Sequence, residues 1–533
     1  MNMSMKRTAL SIVLQTISCS FLVLLLTTSC TNDETEQVEK QAENNISTNG
    51  IVFAGFSQSD TTTRTAIFDH TKNAGASVNW SNDDKIWVKD NTNNWKQSAQ
   101  VTFPSTTNKS EGMFALSGTY TKASHSVVYT NKPISGTNIQ VEIKAEQKQS
   151  APNNFDHAGV SGDCGVATAS KSSNGYRFTL SHKASYLCFI PRSHNSYVNK
   201  SKLIKIEIMS DNNIAGTYKM AENGNLTFDS DGSKTITVTT ESGFDINDAT
   251  ENMNKNAVYA VVAPGIHSFR IRYWLRNTED CPSGPIEGTV SKYVTLNCVA
   301  GAMNDITANL NPTDYDGDHY YMWDAKQQYW YGYEWTKKLT EGTGQTTTSL
   351  QNPATTFPVE GDQRYYNKTF KGFHISNSAI QDSTKNLPNV NEMTWYAMKG
   401  DPRWDGDELW STMGHLYKGG MWFYKKDNIA NYSKTKAYDN VNYCKISKEC
   451  TNNELETGLP SIAKAKQYFF LPALGNYLSG RLNAIAYYGF YWSSSGNPED
   501  NGYGAYALYF NSTKAFIKIA SRGYGFRVHS LPL

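Results

Sequence analysis

Cys444 and Cys450 are the pair of residues best suited to covalent chemistry in this sequence. A close pair of thiols serves either as a structural disulfide or as a reactive dithiol, and Lys445, Lys448 and Glu449 around them favour the disulfide. Cys281 and Cys298 are the next nearest pair, and Cys164 and Cys188 complete a set of six outside the N-terminal segment. Six thiols allow fifteen pairings, so the pattern alone leaves the connectivity open. No Cys-x-x-Cys or His-rich spacing occurs, so no metal site, and zinc in particular, is expected. Asp314-Tyr315-Asp316-Gly317-Asp318 has the texture of a calcium loop, but the twelfth position is Ala325 where a calcium loop needs Glu, and a solvated linker is expected instead. Gly-x-Ser-x-Gly, Ser/His/Asp and phosphate-loop patterns are absent, so the expectation is a non-enzyme without a cofactor.

The remaining chemistry is that of contact. From Leu482 to Leu533 the chain gathers Tyr487, Tyr488, Phe490, Tyr503, Tyr509, Phe516 and Tyr524 around the loop Asn497-Pro498-Glu499-Asp500-Asn501-Gly502. Tyrosine offers contact area with little rotamer entropy to lose, so the stretch reads as a binding surface. An antiparallel sheet that merely closes a domain is the plainer alternative, since Ala505, Leu508 and Phe510 are ordinary core residues.

Positioning such a surface requires a β scaffold. With 50 basic and 49 acidic residues the chain lacks the basic excess of a nucleic-acid binder. Mean hydropathy is −0.55, yet 12% of residues are aromatic, which suits a turn-rich β protein. Short alternating runs bounded by turn residues recur from Ile51 onward, among them Lys85-Ile86-Trp87-Val88, Tyr186-Leu187-Cys188-Phe189-Ile190 and Leu203-Ile204-Lys205-Ile206-Glu207-Ile208. A length of 533 residues predicts two to four domains. Four of the twelve tryptophans precede residue 313 and eight follow it, marking a separate C-terminal core.

Residues 1–30 have a basic start at Lys6 and Arg7 and an apolar run too short to span a bilayer, as expected of a signal peptide. Thr27-Thr28-Ser29-Cys30 resembles a bacterial lipobox, with Thr27 where Leu is usual, which implies lipidation of Cys30 and membrane attachment through that lipid. Asp33, Glu34 and Glu36 resemble a surface-export signal of Bacteroidetes lipoproteins, and residues 31–48 read as a tether.

Ile51-Val52-Phe53, Thr63-Arg64-Thr65, Trp80 with Asp84-Lys85-Ile86-Trp87-Val88, and Leu180-Ser181-His182-Lys183-Ala184 resemble the first domain of the Bacteroidetes fimbrillin family. Ile214-Ala215-Gly216-Thr217-Tyr218, Val261-Val262-Ala263-Pro264-Gly265 and Gly301-Ala302-Met303-Asn304-Asp305-Ile306 resemble its second. The resemblance implies a type V pilus subunit joined to other fimbrial subunits by donor-strand exchange, with Arg64 as a possible processing site. Leu471-Pro472-Ala473, Tyr491-Trp492-Ser493-Ser494, Ala505-x-x-Leu508-x-Phe510 and Arg522-x-x-Gly525-Phe526 resemble the C-type-lectin-fold domains of variable proteins in diversity-generating retroelements.

These resemblances imply a mainly β chain: fimbrillin-like β-sandwiches at 49–198 and 199–312, an aromatic linker or entrance segment at 313–364, and an α+β C-type-lectin-fold domain at 365–533. In the variable proteins the contact residues come from randomised adenine-rich codons that never encode Lys, Glu or Trp. That filter excludes Lys514, Lys518, Glu499 and Trp492. It leaves Ala484, Ala486, Tyr487, Tyr488, Phe490, Asp500, Tyr503, Tyr506, Ala507, Tyr509, Phe516 and Tyr524 as ligand-binding candidates. Asn497-Pro498-Glu499 does not reproduce the calcium-lectin motif. The implied function is a pilus-tip adhesin at the outer membrane or cell surface that binds a host or bacterial protein or glycan. A structural fimbrial subunit or cap without a ligand is the alternative. An enzyme of the formylglycine-generating type, using Cys444 and Cys450, is the third reading.

Overall fold

Strands account for most of the regular structure, and the computed structural model describes residues 50–56, 66–72, 75–105, 109–278, 285–334 and 356–529. The signal, tether, Cys30, Arg64 and Cys281 expectations lie outside these residues. No helix among the described residues is long and apolar enough to cross a membrane.

The first sheet holds Ile51–Phe56 between Gly175–Thr179, to which it runs parallel, and Glu111–Leu116, to which it runs antiparallel. Glu111–Leu116 alternates half-buried and buried positions, the period-two signature of a strand with one face on a core. That core is aromatic: Phe53 stacks on Tyr176 at 4.7 Å, and buried Trp80 donates its indole N–H to the Gly55 carbonyl at 3.2 Å.

Strand pairing does not respect a division at 198/199. Gln140–Ile143 pairs with Ala215–Met220, and Glu146–Gln149 runs parallel to Thr235–Asp245. Ser185–Arg192 lies between Val258–Val262 and Met303–Asn309. Ser185–Arg192 is buried along nearly its whole length, as expected for a central strand covered on both faces. A second core collects these strands, with Leu187, Phe189, Ile206, Ile236, Tyr259 and Tyr273 fully buried.

A nine-stranded sheet also crosses the composition shift at 313. Its order runs from Glu146–Gln149 through Ile286–Cys298 to Arg403–Thr412, His415–Tyr424 and Tyr468–Pro472, the crossing resting on the parallel bridge of Thr289 with Glu408. The described residues from 50 to 529 form one compact unit.

The C-terminal sheet has the order Tyr320–Tyr321, Phe526–Arg527, Gly489–Gly496, Gly504–Phe510, Ala515–Ser521 and Cys450–Asn452. Helix Val390–Lys399 packs on its inner face. Asn389 begins that helix with a capping box: its side chain accepts from Glu392 N at 3.1 Å, and Glu392 accepts from Asn389 N at 2.9 Å. Val390, Met393 and Ala397 meet Tyr491, Leu508, Phe510 and Ile517 in a shared core.

One expectation is corrected here and another is refined. Cys444 and Cys450 are free thiols, as are Cys164, Cys188 and Cys298. Cys444 lies against Ser495 and Asn391 beside the helix, whereas Cys450 pairs with Ile517 in the sheet, so their surroundings separate them. Residues 314–318 are largely exposed, as the solvated linker expected there would be, but they are tied to the rest of the chain. Asp314 accepts from the Ser411 hydroxyl at 2.6 Å, Asp316 holds His319 at 2.7 Å, and the Asp316 carbonyl accepts from Arg527 at 2.6 Å. The following aromatics pack inward: Tyr320, Trp323, Tyr329 and Trp330 are buried.

Candidate functional site

Alternation along the C-terminal strands sorts their aromatics onto two faces. Tyr491, Tyr506, Leu508, Phe510 and Ile517 face the helix. A side chain at Gly489 would drive into the Phe510 ring, so the inner face requires glycine there. On the outer face, register places Phe490 opposite Tyr509 and Tyr509 opposite Phe516, with Trp492, Ala507 and Lys518 forming the next row.

The outer row is a continuous aromatic strip. Tyr488 stacks on Phe490 at 5.6 Å, Phe490 meets Tyr509 edge-on at 5.1 Å, and Tyr509 stacks on Phe516 at 5.0 Å. Phe526 floors the strip, 5.0 Å from Phe490 and stacked at 4.4 Å on Trp492, and Tyr524 leans on it at 5.7 Å. Lys514 places its ammonium 4.8 Å over the Phe516 ring. Tyr488, Phe490, Phe516 and Tyr524 remain half-buried, leaving ring edges toward solvent. Burial pushes the Tyr509 hydroxyl well above its ordinary value, with Tyr524 and Glu449 adding to the shift, so it stays a neutral phenol.

The strip is held from one end by Trp323, Trp492 and Arg522. Trp323 donates to the Ser493 carbonyl at 2.9 Å, and Trp492 donates to the Tyr321 carbonyl at 2.8 Å. Arg522, fully buried, lies 4.2 Å over Trp323 and donates to the carbonyls of Gly504, Asn367 and Thr369 at 3.0, 2.8 and 3.0 Å. Burial pulls its guanidinium down to about 10 despite Asp500 and Asp324 nearby. The Arg522-x-x-Gly525-Phe526 motif marks this residue without revealing what it holds; the Asn-x-x-Glu spacing before the helix does announce its cap.

Other candidates fall elsewhere. Ala486 and Tyr487 line a groove of about 580 Å³ with Ile286, Trp404, Tyr417 and Lys418. Ala484 and Ala486 both hold positive φ, 54° and 65°, at the turn leading into it. Tyr503 is 62% exposed at the tip of the loop, where the Asp500 side chain accepts from Gly502 N at 3.2 Å. Tyr506 and Ala507 do not reach the surface; both are fully buried. Tyr506 points to the helix side, where its hydroxyl accepts from Lys448 N at 3.1 Å. Ala507 lies on the outer face, but its methyl group is too short to emerge between Trp492 and Lys518. Trp492, Ser493, Ser494, Leu508, Phe510, Gly525 and Val528 are all buried, as scaffold residues should be.

Beneath the groove, charged groups join the C-terminal region to the middle sheet. Arg272 meets Asp405 at 3.0 Å with both side chains nearly buried, and Trp422 donates to Asp405 at 3.3 Å. Glu408 accepts from Ser291 N at 3.1 Å, the Ser291 hydroxyl at 2.7 Å and the Thr289 hydroxyl at 3.1 Å. Burial, with Asp405 adding, nevertheless pushes its carboxyl up to about 7. Burial also pulls the Lys292 ammonium down, and Glu408 opposes that shift.

No protein-family model matches the sequence, and no curated protein matches it. Among solved structures, the chain is similar to the fimbrial anchor protein Mfa2 from Porphyromonas gingivalis, at 9% identity and TM-score 0.20 over 47% of this chain and 99% of that one. It is similar to a fimbrial protein from Bacteroides ovatus ATCC 8483 at 10% identity and TM-score 0.22, over 90% and 98%. A candidate cell adhesion protein from Bacteroides fragilis NCTC 9343 gives 14% identity and TM-score 0.28 over 49% and 92%. TM-scores at this level carry no argument about this chain.

Proposed function

We propose that this chain is a cell-surface adhesin of a fimbrial assembly, and that the outer face of its C-terminal sheet binds a protein or glycan. The observation that carries the reading is the strip Tyr488, Phe490, Tyr509 and Phe516: aromatic rings in mutual contact, packed beside Trp492 and Phe526, with Tyr488, Phe490 and Phe516 only half-buried. A row of this kind presents flat apolar area at low entropic cost, with Lys514, Tyr503 and Asp500 available for polar contacts at its margins. The order of fimbrillin-like and lectin-like motifs supports two β modules carrying a C-type-lectin-fold head. In this reading Cys30 is lipidated at the outer membrane, Arg64 is the site of processing before donor-strand exchange, and the exposed candidates vary between copies of the gene.

Adhesion of cells displaying the full chain to host and bacterial cells and to glycan surfaces, compared with the Phe490→Ala/Phe516→Ala double variant, tests the binding claim. Loss of adhesion with retained display is expected; equal adhesion would overturn it. The ligand-free structural subunit is favoured by the near-complete burial of Trp492, Tyr509 and Phe526 within the strip, and it predicts no adhesion by either form.

A further inference from the structure

Tyr259, Cys188 and Asp305 stand opposite one another across three neighbouring strands, Val258–Val262, Ser185–Arg192 and Met303–Asn309. His70, from strand Ala66–Thr71, is laid over this row. The His70 Nδ1 lies 3.1 Å from the Tyr259 hydroxyl and its Nε2 lies 3.3 Å from Asp305 Oδ1. One ligand atom each from His70, Cys188 and Asp305 fall within 4.8 Å of one another.

The hydrogen bonds fix which ring nitrogen carries the proton. Asn153 donates its amide N–H to Asn254 at 2.9 Å, which turns its Oδ1 toward Tyr259; the Tyr259 hydroxyl donates to that oxygen at 2.5 Å. With its single proton committed, the Tyr259 oxygen accepts from His70 Nδ1–H. The Nε2 of a neutral ring then aims a lone pair at a carboxylate oxygen. Such a contact needs a positive charge between the two atoms, either a proton or a metal ion.

We propose that His70 Nε2, Cys188 Sγ and the Asp305 carboxylate bind a divalent transition ion of the zinc class. Nitrogen, thiolate and carboxylate together suit zinc rather than calcium or magnesium, which take oxygen ligands. A tetrahedral zinc ion places its ligand atoms about 3.3–3.7 Å apart. The His70 and Asp305 atoms already stand at 3.3 Å, so Cys188 supplies the remaining adjustment. Tyr259 takes the role of the outer partner that orients a ligating imidazole. On binding, the Cys188 thiol loses its proton to solvent and its sulfur bonds the ion; no electron transfer is involved. The ion would staple the hairpin of Ala66–Thr71 and Gly75–Asn79 to the three-stranded sheet. The three positions are far apart in sequence, so no spacing motif reveals them.

The test is titration of the metal-free full chain with cobalt(II), read by thiolate-to-cobalt charge-transfer absorption, followed by displacement with zinc and thermal unfolding with and without zinc. Saturation at one ion per chain is expected, with zinc raising the melting temperature. The charge-transfer band should vanish in Cys188→Ser, and stoichiometric binding should be lost in His70→Gln, each folded by circular dichroism. Absence of stoichiometric binding, or an unchanged band in Cys188→Ser or unchanged binding in His70→Gln, would overturn the assignment. Should Cys188→Ser fail to fold, the His70→Gln titration decides.

Discussion

The two faces of the C-terminal sheet are built from the same kinds of residue and have opposite fates. Inside, Tyr506, Leu508, Phe510 and Ile517 are sealed against a capped helix; outside, Phe490 and Phe516 make ring contacts of similar geometry with the buried Tyr509 but are themselves only half-buried. Aromatic content therefore does not distinguish core from surface here. What distinguishes them is how fully the rest of the chain covers the rings: Tyr506, Leu508 and Phe510 completely, Phe490 and Phe516 only in part.

The comparison breaks most visibly at Phe510. Phe510→Ala should cost about 3–5 kcal/mol, because it opens a cavity in a fully buried cluster. Chemical denaturation measures this. Phe516→Ala, across the sheet, should cost only about 1 kcal/mol, since the ring is half-exposed already. The same assay checks it, and equal losses at the two positions would erase the distinction.

Between these in size lies a pH effect that separates the sheet from the joint beneath it. The folded Glu408 carboxyl titrates at about 7 against an ordinary 4.5, so the folded state holds its proton more tightly. The resulting stabilisation is fully present below about 4.5 and is lost as pH rises through about 7. Between pH 5 and 8 the wild type should lose on the order of 1–3 kcal/mol that Glu408→Gln does not. Denaturation midpoints across that range, for both forms, provide the check. Asp405 strengthens the effect, whereas Arg272 and Ser291 weaken it.

The smallest effect concerns the turn into the groove. Ala486 adopts φ 65°, a left-handed conformation that an L side chain resists, so Ala486→Gly should stabilise the fold by about 0.5–1 kcal/mol. A raised denaturation midpoint would show it.

Much of this was legible in the sequence, and where it was not, the reason is physical. Short alternating runs announce strands, and the crowding of aromatics after Leu482 announces the strip. Period-two alternation also separates Tyr506 from Tyr509, because an odd spacing puts them on opposite faces; proximity to the aromatic cluster alone does not. Ala507 required the third dimension, since only its cross-strand neighbours show that a methyl group is overshadowed. Pairing of Gln140–Ile143 and Ser185–Arg192 with strands far downstream was not legible, because register between distant segments is set by tertiary packing. The half-burial of Glu408 and the full burial of Arg522 were not legible for the same reason: both are produced by segments remote in sequence.

The most direct test of the central claim is to measure, on one Phe490→Ala/Phe516→Ala preparation, both unfolding free energy and adhesion beside wild type. A surface strip predicts a stability loss of about 2 kcal/mol or less, with adhesion falling at least about tenfold. Adhesion unchanged, or a loss of stability as large as that of Phe510→Ala, would contradict the account.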